Sequence, residues 1–71
     1  MMPAFQDLKE GEYFILCEQL YKKTGPRRHA PVYMQMVSKY GLRIVMGDSE
    51  EVKDLQAEVQ LFPTPTAAAV P

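Results

Sequence analysis

Cys17 and His29 are the only cysteine and the only histidine among 71 residues, and that scarcity sets the first constraint on the fold. A disulfide within the chain is impossible, and a four-ligand zinc site of the usual Cys and His kind is equally excluded. A chain of this length forms one domain, which buries only about 60% of the surface its unfolded form exposes. Without a staple, such domains often gain stability from a partner or from oligomerisation.

A lone cysteine inside an apolar run fits a reducing cytoplasm, where a thiol behaves as a small hydrophobe, so Cys17 is expected in the core. The opening Met1-Met2-Pro3-Ala4-Phe5 has neither the basic flank nor the apolar stretch of a signal peptide, and no run approaches the length needed to cross a bilayer. The expectation is a soluble cytoplasmic protein with no membrane partner.

The apolar residues fall into short segments that read as strands. Glu12 to Glu18 is rich in aromatic and β-branched residues and is bounded by Gly11. Leu20 to Thr24 follows closely enough to pair back as a hairpin, and Gly25-Pro26 stops it. Pro26 to Pro31 reads as a loop carrying Arg27-Arg28-His29. From Val32 the chain alternates, with Val32, Met34 and Met36 on one face and Tyr33, Gln35 and Val37 on the other. Lys39-Tyr40-Gly41 turns into a fourth segment, in which Leu42, Ile44 and Met46 share a face and Arg43 points away.

Asp48-Ser49-Glu50-Glu51 has the spacing of a capping box and precedes Val52 and Leu55 at helical spacing, which predicts a short helix over roughly 49–56, with an irregular turn as the alternative. A fifth strand follows from Ala57 until Pro63 ends it. These elements predict a mainly β fold, a small antiparallel barrel or curled sheet of SH3-like or OB-like architecture with about five strands and at most one short helix. The domain covers 1–62, and 63–71 is a Pro/Ala/Thr-rich flexible tail without charge or aromatic residues.

The opening Phe5-Gln6-Asp7-Leu8-Lys9-Glu10-Gly11-Glu12-Tyr13-Phe14, with Leu20-Tyr21-Lys22-Lys23-Thr24 after it, resembles a type of small β protein common in bacteriophage and cyanobacterial genomes. Those proteins open F-x-D-L-x-x-G-x-x-F, continue with a Y-x-K strand and close near an acidic D-x-x-V segment, to which Asp48 to Val52 is similar. The resemblance spans residues 5–59. It implies a fold and a phage-like origin and supplies no catalytic residues, and the Arg-containing loop and the Ala/Pro tail depart from it. In physical terms, Phe5 and Leu8 would fold over the barrel end as an apolar plug, Asp7 would cap the tight turn and Gly11 would take the positive φ needed to enter the first strand.

Charge is segregated along the chain although the net charge is only −1. From Tyr21 through Arg43 lie Lys22, Lys23, Arg27, Arg28, Lys39 and Arg43 with no acidic residue, and every carboxylate stands before or after. Two readings stay open. In the first, Lys22, Lys23, Arg27, Arg28 and Arg43 form a binding surface with Tyr33, Tyr21 or Tyr40 as stacking rings, the ingredients of single-strand binders. In the second, neighbouring strands set these bases opposite Glu12, Glu18 and the acidic segment as ordinary cross-strand pairs.

Catalysis has little to recruit. His29 stands beside two arginines with no carboxylate near it in sequence, Cys17 has apolar neighbours, and Glu50-Glu51 lacks a convergent oxygen cluster. No phosphate-cradling glycine loop or other cofactor motif is present. Met34, Met36 and Met46 would fill the core first and serve as pliable contacts otherwise. The expected function is therefore non-enzymatic: a protein-interaction module of phage type, working with a protein partner or as a homo-oligomer. A nucleic-acid-binding barrel using 21–43 is the alternative.

Overall fold

The computed structural model describes residues 2–39 and 41–64, with Val37 and Ser38 described by their backbone alone. The expected tail beyond Thr64 and the Tyr40 ring lie outside the described residues. Six strands follow a 3-10 turn at Phe5–Asp7: β1 (Tyr13–Leu16), β2 (Gln19–Gly25), β3 (Arg28–Ser38), β4 (Gly41–Met46), β5 (Glu50–Glu51) and β6 (Gln60–Phe62). All pairings are antiparallel, in the order β4-β3-β2-β1-β6, with β5 also on β3. The fold is mainly β, and the sheet does not close on itself among the described residues.

Two-residue turns at 17–18 and 26–27 join β1 to β2 and β2 to β3. Cys17 and Glu18 take φ of 51° and 64° between β1 and β2, the positive values that a two-residue hairpin turn demands of both central residues. Cys17 is therefore exposed at a turn and not in the core. The segment 26–31, expected as a loop, contains only a turn at Pro26 and Arg27, and β3 begins at Arg28. Pro31 is tolerated inside β3 because the strand changes partner there, from Tyr21 on β2 to the β4 side beginning with Val32 opposite Met46.

Strand β3 is shared along its length. Residues 28–31 pair with β2, Arg28 and His29 also face Glu51 and Glu50 of β5, and from Val32 onward only β4 pairs with it. Strands β4 and β5 thus run along one edge of β3, interrupted at residues 47–49. At Gly47 the amide donates to the Pro31 carbonyl at 2.8 Å. A Cβ there would stand 2.7 Å from the Pro31 ring, so the close approach requires glycine.

The helix expected over 49–56 does not form. Arg28 donates through Nε to Ser49 Oγ at 3.1 Å and through its terminal nitrogen to the Ser49 carbonyl at 2.7 Å, while Ser49 Oγ also bonds Thr24 Oγ1. Glu50 and Glu51 join β3, and the Val52 amide donates to the Arg27 carbonyl. Pairing to the sheet satisfies backbone groups that a short isolated helix would leave open.

The main core cluster lies on the Phe14 face of the sheet, while Tyr13, Ala30 and Val32 are buried on the opposite face. Phe5, Leu8, Phe14, Val52 and Val59 form the cluster, with Leu16, Tyr21 and Leu55 packed against them. Phe5 and Leu8 are buried in this cluster on the sheet face, and Gly11 takes φ 94°. The side-chain acceptor at this turn is Glu12, whose Oε1 receives the Lys9 amide at 2.8 Å, rather than Asp7. Backbone bonds from Phe5 to Ala57, Gln6 to Leu55 and Val59 to Pro3 tie the first residues to the last strand segment.

Candidate functional site

Beyond Val32, β3 and β4 form a two-stranded ribbon whose register decides what each face carries. Val32 stands opposite Met46, Met34 opposite Ile44 and Met36 opposite Leu42, and residues directly opposite in an antiparallel pair point to the same side. One face is therefore built wholly of apolar side chains. Met36 is 75% exposed, Met34 47%, Met46 42% and Leu42 41%, so these methionines do not fill the core as the sequence suggests they should. The reverse face carries Tyr33 opposite Val45 and Gln35 opposite Arg43.

The six basic and aromatic residues marked by the sequence are dispersed. Lys23 is 4% exposed: its ammonium donates to the Phe5 carbonyl at 3.1 Å and the Leu8 carbonyl at 2.7 Å, and lies 4.5 Å from the Phe5 ring centre. It offers no surface charge. Lys22 points to the other side of β2, over the Tyr13 ring at 5.6 Å. Arg28 is engaged with Ser49, Arg27 is exposed at the β2–β3 turn, and Tyr33 and Arg43 sit together on the reverse face of the ribbon.

Sequence reasoning missed the surroundings of His29. Its ring stacks on Tyr21 at 4.2 Å and 3°, with Phe14 behind at 6.0 Å and Phe5 edge-on at 6.1 Å. Lys23 stands opposite it on β2 and Glu50 opposite it on β5. Its Nδ1 is buried without a hydrogen-bond partner. Burial lowers the imidazole pKa below its ordinary 6.5, and the Glu50 carboxylate acts in the opposite direction. The same burial, helped by Glu50, raises the Tyr21 phenol above its ordinary 10.0. The alternation of Tyr21 and Lys23 on one strand face, opposite Pro31 and His29, was the available signal.

An open cleft of about 380 Å³ is lined by Glu12, Tyr13, Leu61, Phe62, Pro63 and Thr64 at the β6 edge. Among the described residues no group of three His, Cys, Asp or Glu side chains could hold a metal ion, and no helix is long and apolar enough to cross a membrane. No protein-family model, curated protein or solved structure matches the chain. The ribbon's apolar face is the feature that its surroundings leave without a structural explanation.

Proposed function

We propose that the chain is a non-enzymatic protein-interaction module that docks through the apolar face of the β3–β4 ribbon. The observation that carries the reading is the exposure of Met34, Met36, Leu42 and Met46 side by side on one face. Single exposed hydrophobes are ordinary on protein surfaces, whereas a contiguous patch of several marks a contact site. Methionine suits such a site because its unbranched side chain adapts to a partner's relief. A phage-type role, as a minor structural component or a small effector that masks a host protein, follows from the likeness of the Phe5 to Phe14 opening. The same reading takes the sheet as a curled one of SH3-like or OB-like kind.

The nucleic-acid reading has fewer residues to rest on, since Lys23 is enclosed and Arg28 is occupied by Ser49. The experiment that tests both compares the chain with a Met34→Glu/Met36→Glu variant in affinity capture from lysate, beside anisotropy titrations of labelled oligonucleotides. Captured protein that is lost with the variant is the expected result. Oligonucleotide binding that weakens with salt and survives the variant would replace this reading with the other.

A further inference from the structure

The inner end of the ribbon's apolar face is covered, with Val32 2% exposed, but from Met34 outward the face lies open. The segments around Phe5, Leu8, Val52 and Val59 cover the Phe14 side of the sheet. Register carries that side from Phe14 to Tyr21, Pro31 and then Tyr33, so Met34 and Met36 look the other way. A sheet buries its apolar face against another layer, and a two-stranded ribbon on its own is marginal in water.

We infer that this face packs on the same face of a second copy of the chain, two ribbons stacking about a two-fold axis. The inference rests on the protein-interaction reading above and commits it to one partner. Charge argues for it. Val32, Met34, Met36, Leu42, Ile44 and Met46 bring no charge to the face, and Arg43 lies on the reverse, opposite Gln35. A copy therefore meets no like charge across the contact, while an acidic or basic partner would find nothing there to pair with.

Area and shape point the same way. The exposed fractions of Met34, Met36, Leu42 and Met46 amount to on the order of 400 Å² of apolar surface per chain, the size of a patch that monomers seldom leave bare. A two-fold contact doubles this to about 800 Å², below the roughly 1,200 Å² at which stable specific interfaces begin and in the range of weak, transient ones. That predicts a weak dimer, with a dissociation constant of about 10–100 µM. A flat ribbon is matched by another flat sheet face, since sheets stack about 10 Å apart with side chains interdigitated, and a contact of a face with itself closes at two copies instead of growing into a filament.

Sedimentation equilibrium of the full chain from about 5 µM to 1 mM tests this. The mass is expected to rise from 8.1 kDa toward twice that value. Met34→Glu/Met36→Glu sets like charges against each other across the axis and should weaken the dimer at least about tenfold, and Leu42→Lys gives an independent reading from the other strand. Arg43→Glu, on the reverse face, should leave association unchanged. Amide NMR spectra that stay superimposable for β1, β2 and β6 establish that each variant is folded. A wild-type chain that remains at 8.1 kDa throughout, or a dimer indifferent to the ribbon variants, overturns the inference. If the monomeric chain still captures another protein through Met34 and Met36, the second copy is ruled out while the interaction reading stands.

Discussion

A lysine ammonium enclosed by two carbonyl oxygens and an aromatic ring, as at Lys23, retains its charge-dipole contacts in place of water and so fixes the 3-10 turn that supplies those oxygens. Lys23→Met keeps most of the apolar stem and removes the donor from the Phe5 and Leu8 carbonyls. Urea unfolding should show a loss of about 1–3 kcal/mol. Neighbouring His29 gives the fold an acid sensitivity. Its folded pKa lies below the ordinary 6.5 through burial, with Glu50 opposing, so the unfolded chain binds the proton more readily. Stability from this residue is full above pH 6.5 and falls as the pH drops from there through the lower, folded value. His29→Phe should flatten the urea midpoint against pH in that window, with Glu50, Lys23 and Tyr21 still facing the position, and an unaltered slope would assign the acid sensitivity elsewhere. The alternation of Tyr21 and Lys23 was the only sequence trace of either surrounding. A lysine reads as surface and a histidine beside two arginines reads as loop, because only strand register reveals that both share a face with Phe14.

At the scale of single elements, the β1–β2 turn carries two non-glycine residues at positive φ, which costs roughly 1–2 kcal/mol per residue relative to residues suited to that region. Replacing Cys17 and Glu18 with Asn and Gly should therefore raise stability by about 1 kcal/mol or more in the same urea assay. Gly47→Ala works in the other direction. Its new methyl would meet the Pro31 ring at 2.7 Å, and a rigid ring has little room to yield, so a loss of about 1–3 kcal/mol is expected. Strand positions were readable where alternation was strong, as in Val32 to Met36 and Leu42 to Met46, and the Phe5 to Gly11 opening was readable from its residue types. The Cys17-Glu18 turn was hidden because neither residue is a usual turn former. The acidic 48–51 segment misled in a different way: its capping-box spacing is a local signal, and Ser49 spends its hydroxyl on Thr24 and Arg28 instead.

For the molecule as a whole, the β3–β4 ribbon extends past the buried core, so stability should be uneven. Amides of Met34 to Met36 and Leu42 to Met46 should exchange with solvent faster than those of β1 and β2 in dilute solution, because only one strand pairing and no covering layer protects them. Hydrogen-exchange mass spectrometry checks this, and uniform protection would mean that the ribbon is already covered. The gross architecture was legible, since short apolar segments between glycines and prolines leave few alternatives to an antiparallel sheet. The exposed face was not, because Met34 and Met46 have the same pattern whether they line a core or a contact. The bonds joining Phe5 to Ala57 and Val59 to Pro3 add a consequence for synthesis on the ribosome. Strands β1 to β4 form a run of local hairpins that can assemble as they emerge, at low entropic cost. Phe14 nevertheless waits for Val52 and Val59 to complete the cover that Phe5 and Leu8 begin, so the nascent sheet's Phe14 face stays partly open until residues in the fifties clear the exit tunnel.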